Sequence, residues 1–254
     1  MIRFLSVSLL FCFAISGAAH ATDSLQSARQ AFHAGSTDQA ITTLQAQLKS
    51  GSLEATDLAD ARHLLGRALM ARGDHAQAAI VFAEALQADD KDNTTALGDH
   101  LRHHLALAMN ALGRHPEAQP LFRAVARDPY STFQVDAAYL EATTILRMGR
   151  KSSARKAFVT FLATYPGAPQ MHDARETLAG LERDRGRVAR AIEMYRRVIR
   201  ESPQSKAANR SQLALADLAA KGHKAAKTPT PTEIRRDAEW LVSERRFDEA
   251  LPIL

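Results

Sequence analysis

The most regular feature of the sequence is a glycine followed five residues later by an alanine, with a larger apolar side chain one turn beyond. In the stretch GDHAQAAIVFAEAL (residues 73–86), Ala78, Phe82 and Ala85 follow Gly73 at positions that share one face of a helix. A small residue on such a face lets a neighbouring helix approach closely, and an aromatic ring fills the space beside it. The pattern predicts one helix of a packed pair.

The same spacing recurs down the chain, which indicates an internal repeat. Successive copies place their alanine at Ala40, Ala78, Ala118, Ala154 and Ala191, at intervals of 38, 40, 36 and 37 residues. A second amphipathic run precedes each turn glycine, so each repeat is predicted to be two helices joined by a short turn. Because one pair cannot bury both apolar faces alone, neighbouring pairs are expected to stack. The sequence offers no alternating segment typical of a strand, and the predicted fold class is all-α.

The stretch LLGRALMARGDHAQAAIVFAEALQADD (64–90) resembles the tetratricopeptide repeat (TPR) family. The signature places are held by Leu65, Gly66, Leu69, Ala78, Phe82 and Ala85. This resemblance implies a right-handed α-solenoid of TPR-like helix pairs, about five full pairs plus a partial sixth. We expect the solenoid over residues 22–222, a linker rich in threonine and proline over 223–231, and the start of a further, truncated pair over 232–254.

The first 21 residues predict export. Arg3 begins a basic start, residues 4–15 form an apolar run, and Ala19 and Ala21 flank His20 as in a cleavage site. The run is shorter than the roughly 20 residues that span a bilayer, so we expect a signal peptide cleaved after Ala21 and no transmembrane segment. In a bacterium the product would be periplasmic.

Charge is distributed unevenly along the chain. Residues 22–130 hold 10 Lys and Arg against 13 Asp and Glu, whereas residues 131–254 hold 22 against 15. A basic second half in an exported protein is not expected to meet nucleic acid, but could meet an acidic partner or cell-wall carboxylates. A candidate basic surface contains Arg183 and Arg187; the alternative is a solvated, arginine-rich helix surface.

Polar residues recur at equivalent positions in the first helix of successive pairs, and in the TPR family those positions face the concave groove. The candidate binding residues are Asp60, His63, Arg67, His100, His103, Asn110, Asp136 and Tyr139. The row continues to Asp173 and Glu176. Such a row is typical of a groove that binds a peptide of a protein partner. The alternative is that these residues only form a hydrated inner wall.

The sequence predicts no chemistry of its own. His100 and His104 lie one turn apart, as two metal ligands can, but no third ligand matches, so neither a metal nor another cofactor is expected. No nucleophile motif or glycine-rich phosphate loop is present. We therefore predict no catalytic residue.

The array also resembles the helical part of the soluble lytic transglycosylases of the periplasm, through FVTFLATYP (158–166), MYRRVIRESPQS (194–205) and AEWLVSERRFDEAL (238–251). That resemblance implies a non-catalytic scaffold acting in peptidoglycan turnover, whose lysozyme-like catalytic domain would lie beyond Leu254. The alternative is a periplasmic TPR adaptor that binds a partner's peptide or helix. Protein or peptide partners, or peptidoglycan, are the ligands expected from these two hypotheses.

Overall fold

The computed structural model describes residues 24–92, 97–227 and 231–251, and these segments are helical throughout with short turns and no strand. The predicted signal peptide lies outside the described residues. The helices are α1 (24–33), α2 (Thr37–Ser50), α3 (Ala55–Arg72), α4 (His75–Asp92), α5 (Gly98–Ala111), α6 (His115–Arg127), α7 (Gln134–Arg147), α8 (Lys151–Thr164), α9 (Met171–Asp184), α10 (Val188–Glu201), α11 (Lys206–Ala220), α12 (Lys224–Lys227), α13 (Pro231–Ser243) and α14 (Phe247–Ala250). The all-α prediction is confirmed. None of the described helices is long and apolar enough to cross a bilayer.

The predicted turn glycines end the first helix of each pair. Gly73 has φ of 88°, in the left-handed region where residues with a Cβ are strained, and its N–H donates to the carbonyl of Met70 at 3.0 Å. Arg245 occupies the corresponding turn between α13 and α14 and is the one non-glycine residue with positive φ, 58°, among the described residues. The turn geometry is therefore kept even where the glycine is absent.

Contacts along the chain divide it into two compact units, residues 1–149 and 150–254. The boundary follows the turn glycine between α7 and α8, inside the region predicted as one solenoid. The first unit holds the described helices α1 to α7, and the second holds α8 to α14.

The core of the first unit shows why its helices pack so closely. The side chains of Ala78 and Phe82 on α4 are fully buried. A Cβ added to Gly66 on α3 would lie 2.4 Å from the Phe82 ring, far inside a normal contact. Glycine at this position makes room for the aromatic ring of the paired helix, as the alternation of small and large residues predicted.

The core of the second unit repeats the arrangement with a tyrosine. Tyr195 on α10 is buried with Ala179 on α9 and Leu218 on α11. Ala226 joins the same cluster from α12, a single helical turn within the segment expected to be a linker. That segment therefore contributes to the core at Ala226, and α13 begins at Pro231.

Candidate functional site

Four histidines and a phenylalanine gather on the inner face of the first unit, which we define as the surface formed by the first helix of each pair, here α3, α5 and α7. The His63 ring on α3 lies 5.0 Å from His104 and 5.8 Å from His100, both on α5, measured between ring centroids. Phe133, which caps the start of α7, lies 4.8 Å from His100 and 5.8 Å from His104. The structure thus brings residues of three helices into one ring cluster.

His103 extends the ring cluster toward α7. Its ring is buried and stacks on Phe133 with centroids 4.3 Å apart and planes 11° apart. Its Nε2 lies 3.3 Å from Oδ2 of Asp136, a half-exposed carboxylate one repeat further along. Sequence reasoning found His103 and Asp136 but missed Phe133, because it lies outside the helix periodicity; an aromatic residue just before a predicted inner helix is the available signal.

On the α1 side, two predicted residues of α3 contact partners on α1, the first helix of the preceding pair. Asp60 Oδ2 accepts a hydrogen bond of 2.6 Å from Nη2 of Arg29, and both side chains are 40% exposed. The Arg67 guanidinium lies 5.3 Å from the centroid of the Phe32 ring, within the range of a cation–π contact. Neither Arg29 nor Phe32 was among the predicted residues.

The two remaining candidates, Asn110 and Tyr139, are on α5 and α7 but take no part in the ring contacts and ion pairs named above. Asn110, near the end of α5, is within 2.6 Å of Nδ1 of His115 through its Oδ1, beside the turn to α6. Tyr139 is half-buried on α7. We therefore use the term "polar band" for Asp60, His63, His100, His103, His104, Phe133 and Asp136 only.

Burial keeps the centre of the polar band neutral. The pKa of His63 is lowered from 6.5 to about 3, first by burial and then by the nearby His104, Arg67 and His100. Burial also lowers the pKa of His104 to about 4, although a 2.8 Å contact between its Nδ1 and the His100 carbonyl opposes the shift. Near neutral pH these two imidazoles are uncharged and can stack on apolar groups; the Nδ1–H of His104 donates to the His100 carbonyl, which leaves its Nε2 as an acceptor. Within the part of the chain that the structure describes, no group of three or more His, Cys, Asp or Glu could hold a metal ion.

The row continues in the second unit in a different chemical form. Arg210 on α11 donates to Asp173 Oδ1 at 2.5 Å and to Glu176 Oε2 at 3.0 Å, so both carboxylates on α9 are paired. The predicted basic surface is also paired locally. Arg183 lies 3.2 Å from Asp184, and Arg187 lies 3.3 Å from the fully buried carboxylate of Glu182.

Comparison with known proteins identifies the class. A family model described as tetratricopeptide repeat matches residues 18–93 and 139–206, more than half of the sequence. The chain belongs to the tetratricopeptide repeat family, as its residue pattern predicted. No curated protein is similar enough in sequence to match it.

Solved structures agree on the fold. A TPR protein from Parabacteroides merdae is 15% identical, with a TM-score of 0.64 over 92% of this chain and 90% of its own. YrrB, described as a TPR protein with an unusual peptide-binding site, is 16% identical, with a TM-score of 0.59 over 74% and 90%. PilF of Pseudomonas aeruginosa is 14% identical, with a TM-score of 0.59 over 90% and 95%. At these identities the likeness shows the fold alone, an α-solenoid of TPR-like pairs.

Proposed function

We propose that this TPR protein is an adaptor that binds a peptide or helix of a partner protein on the polar band of its first unit. The observation that carries this proposal is the meeting of His63, His104 and Phe133 from three successive inner helices. Residues that a single helix could not bring together form a continuous strip there. The description of YrrB as a peptide-binding TPR protein supports the same class of function.

The chemistry of the polar band suits a peptide. Phe133 and the neutral imidazoles can stack on an aromatic or proline side chain, while the Nε2 of His104 can accept a hydrogen bond from a peptide N–H group. Asp60 and Asp136 lie at the two ends of the strip, and their side chains stay 40% and 41% exposed although Asp60 is paired with Arg29 and Asp136 lies 3.3 Å from His103. We therefore expect a peptide with an apolar or aromatic centre and a basic residue at one or both ends.

Peptide display followed by affinity measurement tests the adaptor proposal. Peptides selected on the full chain should bind at least about tenfold more weakly to Asp60→Ala or Asp136→Ala. Glu84→Ala is the matched control, because it removes an exposed carboxylate from α4, the second helix of a pair. The proposal would be contradicted if all three substitutions weakened peptide affinity equally, or if none of them weakened it.

Export belongs to the same proposal. Its support is the charged, apolar and small-residue order of residues 1–21. Expression in a bacterium should give a periplasmic product whose N-terminal residue is Thr22, as read by mass spectrometry. A product that starts at Met1 and stays with the cytoplasm would contradict export.

The scaffold of a lytic transglycosylase is the second proposal, and only the positive charge of the second unit favours it. Residues 150–254 hold 21 Lys and Arg against 13 Asp and Glu. The family model and the structures compared above identify the repeat and do not support the cell-wall resemblance. Binding to isolated peptidoglycan sacculi that persists at low salt and fails near 1 M salt would favour the scaffold. If the protein does not bind sacculi at low salt, the scaffold proposal fails and the adaptor proposal remains.

A further inference from the structure

The second unit carries a groove between α8 and α10, the second helices of two successive pairs, and residues of α9 also line it. The groove has a volume of about 570 Å³. Its apolar lining consists of Val159, Leu162, Ala163, Pro166, Met171, Leu178 and Met194. Val159 is 39% exposed, and Leu162, Met171 and Met194 are only half-buried, so apolar surface is left uncovered here. We call this site the outer groove.

The charges that line the outer groove are paired with one exception. Glu201 is bonded to Arg197 at 2.6 Å and also to Arg175. Glu193 accepts a 2.5 Å hydrogen bond from Arg236 on α13. Arg190 is exposed and has no ion-pair or hydrogen-bond partner among the described residues. Among the described residues, Arg190 is therefore the one unpaired positive charge in the groove lining, and it lies beside uncovered apolar side chains.

The contacts between α13 and α10 show how side chains of α10 can bind a neighbouring helix. Besides the Arg236–Glu193 contact, α13 places Asp237 against Arg200 in an ion pair. The Arg200 guanidinium also lies 6.0 Å from the centroid of the Trp240 ring. Arg200 and Glu193 on α10 thus hold ion pairs with α13, and the outer groove adjoins this contact, because Glu193, Arg197 and Glu201 line the space on both sides.

We propose that the outer groove binds an amphipathic helix of a partner protein that carries carboxylates beside its apolar stripe. Residues 190, 194, 197 and 201 of α10 line the groove over about 16 Å, which matches the i, i+4, i+7 and i+11 positions of a ligand helix. The methionines adapt to different apolar side chains. Arg190 and the excess positive charge of this unit select acidic partners. This site is separate from the polar band and does not depend on the function proposed for it.

Fluorescence anisotropy with designed peptides tests this inference on the full chain. The probe is a helical peptide of about 18 residues with leucine at i, i+4, i+7 and i+11 and glutamate beside this stripe. A version with lysine in place of glutamate and a scrambled version serve as comparisons. We expect the acidic peptide to bind at least about tenfold more tightly than either. Binding no tighter than the scrambled peptide, or no binding, would overturn the inference.

Substitutions locate the binding. Arg190→Glu should weaken the acidic peptide at least about tenfold and improve the lysine version. Arg185→Glu is the matched control, because it makes the same charge change at an exposed residue of this unit that does not line the groove, and it should change affinity less than about twofold. Equal weakening by both would mean general charge attraction and would overturn the proposal.

A thiol-protection measurement locates the bound peptide independently of the affinity data. Cys12 is the single cysteine of the sequence, so Cys12→Ser with Val159→Cys leaves one thiol in the groove. The acidic peptide should slow alkylation of this thiol at least about fivefold, but not that of Ser152→Cys, an exposed residue of α8 outside the groove lining. Asp136→Ala should leave the protection unchanged. Loss of protection in that variant would place the peptide on the polar band and overturn the inference.

Discussion

The inner faces of the two units carry different chemistry although both are built from the same repeat. In the first unit, rings from α3, α5 and the start of α7 contact one another, with His63 and His104 held neutral by burial. In the second unit, Arg210 bonds to both Asp173 and Glu176. The repeat fixes where a side chain lies, and the residue type decides whether that place carries an uncharged ring, as at His63 and His104, or a carboxylate held in an ion pair, as at Asp173 and Glu176.

The largest expected effect compares one interior glycine from each unit. Gly66→Ala should destabilise the protein by about 3 kcal/mol, because the added Cβ would lie 2.4 Å from the buried Phe82 ring. Gly180→Ala should change stability by no more than about 1 kcal/mol, since its Cβ would meet only the Tyr195 hydroxyl at 3.6 Å and alanine favours the helix. Urea unfolding of both variants measures the difference. Equal midpoints would show that the two cores do not differ in tightness at these sites.

The close packing of the first unit is tested from the other helix of the same pair. Ala78→Leu should cost about 1–3 kcal/mol, because Ala78 is fully buried and a larger side chain overpacks the contact. Ala83→Leu places the same side chain on the exposed face of α4 and should cost under about 0.5 kcal/mol. Thermal unfolding followed by circular dichroism compares them, and identical melting temperatures would refute the assigned packing face.

The polar band should make the first unit sensitive to acid. Folding lowers the pKa of His63 to about 3 and of His104 to about 4, below the unfolded value of 6.5. The unfolded chain therefore binds more protons, so the stabilisation is complete above pH 6.5 and is lost as pH falls toward 4. Each histidine should lower the free energy of unfolding by up to about 2 kcal/mol between pH 7 and pH 5.

Paired measurements check this dependence. The double variant His63→Gln with His104→Gln should show a smaller loss of stability between pH 7 and pH 5 in urea unfolding than the unmodified chain. His223→Gln, at an exposed histidine of the second unit, serves as the control and should keep the full dependence. An unchanged slope in the double variant would show that these two histidines do not carry it.

The smallest expected effect concerns the ion pairs of the second unit. Arg210→Gln removes two half-exposed ion pairs on the inner face and should cost under about 1 kcal/mol. It should also free the carboxylates of Asp173 and Glu176, so that peptides selected on the polar band for their basic ends gain weak affinity for the second unit. Isothermal titration of the full-length variant with such a peptide would detect the added site. A peptide-to-protein ratio equal to that of the unmodified chain would limit the binding face to the first unit.

The sequence predicted the helix pairs well because its signals are local. The glycine-to-alanine interval marks each turn and buried contact directly, and even Arg245 adopts the positive φ of the glycine it replaces. The positions of His63, His100, His103 and Asp136 on inner helices followed from the same register.

The partners of these residues could not be predicted in the same way. Phe133 belongs to no repeat position, and Arg29 and Arg210 reach carboxylates on other helices 31 and 37 residues away. Such contacts depend on how adjacent pairs are set against each other and on which rotamer a long side chain takes. The local pairing of Arg183 and Arg187 likewise removed two cations from the predicted basic surface.

The direction of the pairs between repeats has a consequence for the order of the repeats. Arg29 precedes its acid, Asp60, by one period, whereas Arg210 follows its acid, Asp173, by one period. A repeat moved from one unit into the other would therefore meet an unmatched or like charge across its new junction. These repeats are not interchangeable modules, and chimeras that shuffle them should assemble only when each acid keeps its own arginine.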